Sequence, residues 1–183
     1  MHYFSHPRFA WLLALCLSAA IYTPSLADEI TLVSIGPRMG LSGKTPLLGR
    51  EQKYPYHLYD VAAVFRMPWS RPLGESPWTL ETRLMTSAGI LTGANEKGLM
   101  MTLIPEIALS GWQNRVTFDV GGGAAFFSRY KFGIQDFGGP AQFVVTAGVR
   151  VSPFPHAYVG FRAQHFSARG SMDPLRWAWI CTS

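Results

Sequence analysis

Gln142-Phe143-Val144-Val145-Thr146-Ala147-Gly148-Val149-Arg150-Val151-Ser152 decides the fold. Its odd positions, Phe143, Val145, Ala147, Val149 and Val151, are apolar, whereas the even ones include Gln142, Thr146, Gly148 and Arg150. Successive side chains of a strand point to opposite faces, so this period of two gives one apolar and one polar face. Neighbouring segments share it. Tyr59, Val61, Ala63, Phe65 and Met67 oppose Asp60 and Arg66, and Leu80, Thr82 and Leu84 oppose Glu81 and Arg83. Leu99, Met101, Leu103, Ile107 and Leu109 oppose Thr102, Glu106 and Ser110, and Val116, Phe118, Val120 and Phe126 oppose Arg115, Thr117 and Asp119. With residues 30–42, 157–168 and a short piece near 177–181, about eight strands are expected, the number in the smallest common transmembrane barrels. Turn-forming stretches at 43–46, 68–77, 93–98, 111–114, 129–139 and 153–155 are short enough for an all-β, antiparallel, up-and-down meander.

The chain's beginning gives the compartment. Arg8 precedes an apolar run over 10–21, and Ser25-Leu26-Ala27 follows as a small-residue cleavage site. Residues 1–27 are therefore expected to be a removable signal peptide, and 28–183 a single outer-membrane β-barrel domain. The run is too short to span a bilayer as a helix, and Pro24 closes it. Cys16 leaves with the signal, so Cys181 remains alone and no internal disulfide can form.

A soluble lipocalin-like barrel has similar periodicity but turns its apolar faces inward and its charges outward. Secretion, together with Trp69, Trp78 and Trp112 near strand ends, points instead to a membrane barrel with a polar interior. Asp60, Glu81, Glu106 and Asp119 would then share the lumen with Arg66, Arg83, Arg115, Arg150 and Arg162, because charges in a narrow filled barrel must pair. The net charge of +5 and pI near 9.5 suit an anionic lipid surface. Nucleic acid is excluded as a partner by export and by the scattering of the basic residues. No cofactor is expected. The five histidines show no metal-ligand spacing, and Gly121-Gly122-Gly123 sits inside a strand pattern with no Lys-Ser/Thr and no following helix, so it reads as close packing rather than a phosphate loop.

His165 and Ser167 are the residues with chemistry to offer. Two apart in a strand, they share a face, at a separation that imidazole and hydroxyl can close to a hydrogen bond. His165 could take the serine proton while Ser167 attacks an ester carbonyl. They fall in phase with Ala157, Val159, Phe161 and Ala163, opposite Arg162 and Gln164, so the pair belongs to the apolar, lipid-facing side. An acylated lipid is the natural substrate for a pair so placed.

The segment Tyr158-Val159-Gly160-Phe161-Arg162-Ala163-Gln164-His165-Phe166-Ser167-Ala168 resembles the Tyr-Arg-x-x-His-aromatic-Ser-Asn signature of the lipid A 3-O-deacylase (PagL) family. Upstream, Gly138-Gly139-Pro140-Ala141-Gln142-Phe143 is similar to that family's Gly-Gly-Pro-x-Gln-Phe stretch. The likeness is strongest over residues 115–168. It implies an outer-membrane hydrolase of the acyloxyacyl type that removes the ester-linked chain at the 3-position of lipid A in lipopolysaccharide, with His165 and Ser167 as the reactive pair. Two departures stand out. Ala168 replaces the Asn after the serine, and Trp179 stands where the family places an orienting Glu, about twelve residues beyond Ser167. Asp173 is the acid available downstream for that role. The ending Trp177-Ala178-Trp179-Ile180-Cys181-Thr182-Ser183 lacks clean alternation, which keeps open a second reading: a truncated, inactive member serving as a structural or lipid-binding barrel.

Overall fold

The computed structural model describes residues 30–42, 53–154, 157–167 and 176–182. Strands β1 (Thr31–Ser42), β2 (Tyr56–Pro72), β3 (Trp78–Gly93), β4 (Glu96–Gly111), β5 (Val116–Phe127), β8 (Ala141–Phe154), β9 (Ala157–Ser167) and β10 (Arg176–Thr182) form a closed antiparallel barrel. Each pairs with its neighbour in this order, and β10 closes the ring by pairing with β1. Between β5 and β8 a small hairpin, β6 (Lys131–Phe132) and β7 (Gln135–Asp136), folds separately from the wall. The expected signal peptide lies outside the described residues.

The alternation read from the sequence is the alternation of the wall. Leu99, Met101, Leu103 and Ile107 are outward and exposed, while Met100, Thr102, Ile104, Glu106 and Ala108 between them are buried in the lumen. Apolar outside and polar inside is the arrangement of a membrane barrel and the reverse of a soluble carrier. Trp69 and Trp78 flank the β2–β3 connection, and Trp112 sits in the β4–β5 turn, where its ring meets that of Trp78 edge-on at 4.9 Å. These indoles gather at one rim, called here the turn end, as interfacial aromatics do.

Several local features depart from the sequence reading. Strand β2 runs on through 68–72, pairing with β3 after a register shift between Arg66 and Ser70, so the Pro-rich stretch begins as strand. Arg115 is not in the lumen: the strand starts at Val116, and Arg115 lies exposed in the preceding turn, where the inside-outside phase no longer applies. Arg38, by contrast, is a lumen residue. It is buried and bonded to Asp60, its Nε donating to Oδ1 at 2.8 Å. The glycine run lies inside β5, and a Cβ on Gly123 would collide with the β4 backbone at Leu103, so close strand packing is its role.

Two fillings occupy the lumen. At the loop end, the rim bearing the β5–β8 connection, Tyr56, Leu58, Leu91, Met100, Phe127 and Phe132 form a buried apolar cluster. Elsewhere the filling is ionic. Arg83 bonds Glu81, which also takes Ser110 Oγ at 2.8 Å and faces Arg66 Nε at 2.7 Å. Arg162 bonds Glu106, lies 2.7 Å from Asp119 and donates to Thr146 Oγ1 at 3.1 Å. The Arg66–Glu81 and Arg162–Asp119 contacts are ion pairs rather than aligned hydrogen bonds.

Candidate active site

Strand β9 carries His165 and Ser167 between β8 and β10. In the antiparallel register His165 stands opposite Val145 and Trp177, and Ser167 opposite Phe143. Directly opposed residues of an antiparallel pair share a face. Val145 is outward and exposed, which assigns the His165 position to the outer face, as the strand phase predicts. Arg162, Gln164 and Phe166 take the inner face: Arg162 in the ionic layer, Gln164 buried, and Phe166 against the apolar cluster.

His165 differs from the rest of its row. Val159 and Phe161, earlier on the same face, are 60% and 38% exposed, but His165 is only 5% exposed. An imidazole on the lipid-facing wall is thus sheltered. Asp173 lies outside the described residues. Trp179 belongs to β10, in register with Ala163 and Leu41. Among the described residues, no three His, Cys, Asp or Glu side chains converge as metal ligands.

Behind the strand, on the lumen side, lies an aromatic stack that sequence reading did not identify. The Phe166 ring meets Phe127 edge-on at 5.7 Å, Phe127 stacks on Phe137 at 5.8 Å, and Phe137 meets Tyr56 and Phe132 at 5.4 and 5.9 Å. Phe166 is the residue between His165 and Ser167, so the stack grips the backbone of the candidate pair from behind. The Gly-Gly-Pro-x-Gln-Phe stretch builds the clamp. Gly138 and Gly139 take φ of 85° and 139°, values that side chains rarely tolerate, and so turn the chain over the barrel mouth. Gln142 Nε2 then donates to the carbonyls of Phe137 at 2.5 Å and Gly139 at 3.1 Å, while Phe127 N donates to Pro140 O at 2.7 Å. The spacing of the stretch was visible in the sequence; that it holds Phe137 over Phe127 was not.

At the same rim, Glu96 accepts from Arg129 and from the Gly133 amide, both at 3.0 Å, and Lys131 lies 3.2 Å from Asp136. The Gly138 amide donates to Asp136 Oδ1 at 2.7 Å and, with Lys131, holds that carboxyl below the ordinary carboxylate range.

A closed antiparallel barrel with an apolar outer wall and an ion-paired interior defines a small membrane-spanning β-barrel. The model of the lipid A 3-O-deacylase (PagL) family matches residues 57–174, and the chain belongs to that family. Among solved structures it is similar to the crystal structure of the outer membrane enzyme PagL, at 16% identity and a TM-score of 0.61, covering 81% of this chain and 96% of that one. No curated protein sequence matches the chain.

Proposed function

We propose that this barrel removes the ester-linked acyl chain at the 3-position of lipid A, as a serine esterase working at its membrane-facing wall. The observation that carries the reading is His165: an imidazole on an otherwise exposed apolar row, sheltered to 5% exposure, two residues before Ser167 at the end of the strand. Family membership supplies the substrate class, and the apolar wall supplies access, because an acyl chain lying in the bilayer already touches that face.

In this mechanism His165 accepts the Ser167 hydroxyl proton as Ser167 Oγ bonds to the ester carbonyl carbon. The tetrahedral oxyanion collapses, the bond to the sugar oxygen breaks, and the imidazolium returns its proton to that leaving oxygen, freeing the 3-hydroxyl. Water, deprotonated by His165, then cleaves the acyl-serine; the fatty acid departs and the proton returns to Ser167. Asp173 is the proposed orienting acid, bonded to the second imidazole nitrogen so that the tautomer is fixed and the imidazolium stabilised. Export on the signal at 1–27 would deliver the barrel to the outer membrane, where lipopolysaccharide resides.

Mass spectrometry of lipid A from cells expressing the chain tests this directly. The expected product lacks one 3-O-linked acyl chain. Ser167→Ala and His165→Ala should each abolish its appearance while leaving the folded barrel in the membrane fraction. Asp173→Asn should lower the rate on the scale of a lost orienting group, about 10⁴-fold in the best-studied triad. Unchanged lipid A in cells holding correctly inserted barrel would reject the enzymatic reading and leave a structural or lipid-binding member.

A further inference from the structure

His165 stands near the end of β9, where the last register partners toward β8 are Val144 for Phe166 and Phe143 for Ser167. Strand ends open easily unless something besides the ladder restrains them. From the lumen side the restraint on this end is the Phe166 ring, set edge-on against Phe127, which is itself the last residue of β5. Strands β5 and β9 are not neighbours in the wall, since β8 stands between them. The two strand ends are therefore joined by their rings, and the ring that closes over that joint is Phe137, stacked on Phe127 at 5.8 Å with 10° between the planes.

Phe137 lies outside the wall, yet its place is fixed from several directions. Its N–H donates to Tyr130 O at 2.9 Å, and its carbonyl accepts from Gln142 Nε2. Gln142 is buried near the start of β8, the strand that pairs with β9, so the Phe137 backbone is tied to the wall that carries His165. Its ring also meets Phe132 of the small hairpin, which makes it the link between that hairpin and Phe127. The path from the connection to the strand thus runs from Phe137 through Phe127 to Phe166.

We infer that Phe137 is a positioning residue for the proposed ester cleavage, an inference that rests on His165 being the base of that reaction. Through Phe127 and Phe166 it sets the orientation of the His165 imidazole, touching neither substrate nor reacting atoms. Successive side chains of a strand point to opposite faces, so a twist of the backbone at Phe166 swings the outward residue beside it. Such a swing acts on rate: a misplacement of about 1 Å, caused by a change far from the chemistry, can lower turnover about 10²-fold.

The test joins steady-state deacylation of purified lipid A by the full chain in detergent micelles to NMR of its imidazole resonances, that of His165 being assigned by its loss in His165→Ala. Phe137→Ala should lower kcat about 10²-fold with KM unchanged, and should move the His165 resonance. Phe137→Tyr, which keeps the stacked ring, should restore both. Leu91→Ala truncates the same apolar cluster from β3, opposite β9 in the ring of strands, and should lower stability while leaving kcat and the resonance as in the parent. If Phe137→Ala does not fold, Phe137→Leu is read in the same way. An unmoved His165 resonance, or an equal loss of kcat in Leu91→Ala, would overturn the positioning role. A parent chain without turnover rejects the esterase reading instead, and the resonance then decides by itself whether Phe137 orients His165.

Discussion

At the loop end of the barrel, Tyr56, Phe127, Phe132 and Phe137 fill the lumen without a formal charge, whereas Glu81, Arg83, Glu106, Asp119 and Arg162 fill the remainder with charges and hydroxyls. Both fillings exclude space from a narrow barrel. Ring contacts, worth about 0.5–1.5 kcal/mol each beyond burial, survive small shifts of the strands that carry them. Ion pairs do not: a one-residue slip of β4 on β3 would turn Glu106 out to lipid and leave Arg162 with Asp119 alone. The ionic half thus fixes the register on which the outer wall depends. The aromatic half grips the backbone behind His165.

Removing Arg162 should break the ionic half hardest. Arg162→Met leaves Glu106 and Asp119 buried without their shared cation, and loss of one partner of a buried pair costs about 3–5 kcal/mol. The expected loss is at the upper end, since two carboxylates are stranded, and it should appear as a lowered midpoint of urea unfolding in lipid vesicles. A midpoint within error of the parent would mean that water enters the lumen and solvates both acids.

Phe132→Ala attacks the aromatic half. Phe132 is fully buried, contacts Tyr56 and Phe137, and sits on a hairpin outside the wall. Truncating a buried Phe costs about 3–5 kcal/mol in a rigid core, and the lower figure is expected because the hairpin can settle into the space. The two variants should also differ in kind. Hydrogen exchange should rise over residues 128–140 and at Phe166 in Phe132→Ala, and throughout β4, β5 and β9 in Arg162→Met. If Phe132→Ala loosens all the strands equally, the plug is part of the barrel's global cooperativity and the distinction between the halves fails.

The wall was legible in the sequence because lipid outside and charge inside enforce a strict period of two, and Phe143 to Val151 or Leu99 to Leu109 carry it without interruption. Two lumen assignments show its limits. Arg115 is in phase with Thr117 and Asp119, but phase has meaning only inside a strand, and this one begins a residue later. Arg38 was obscured because β1 shifts register between Leu32 and Ser34, which breaks the alternation ahead of Ile35, Met39 and Leu41. The aromatic plug was not legible at all, since Phe132 and Phe137 meet Tyr56 and Phe127 only after the connection folds back over the mouth. For the candidate site, the phase of His165 could be read from β9, but its shelter on an exposed row is a tertiary fact.

The weakest link in the aromatic half is the polar stitch at its edge, and acid should open it first. The Gly138 amide, and then Lys131, hold the Asp136 carboxyl below its usual range. A carboxyl with a depressed folded-state pKa contributes stability above its unfolded value, about 3.9, and loses it as pH falls through the lower folded value. The ion pair is exposed, so its effect is the smallest of the three, confined to the turn at Gly138. The Gly138 amide resonance should titrate with a midpoint below that of an unstructured aspartate, and exchange protection at Phe132 should fall over the same range. In Asp136→Asn both titrations should vanish, with protection fixed at a lower level at every pH. A midpoint at the ordinary aspartate value would show that the Gly138 contact is not maintained in the membrane-inserted barrel, leaving ring packing alone to hold the plug against Phe166.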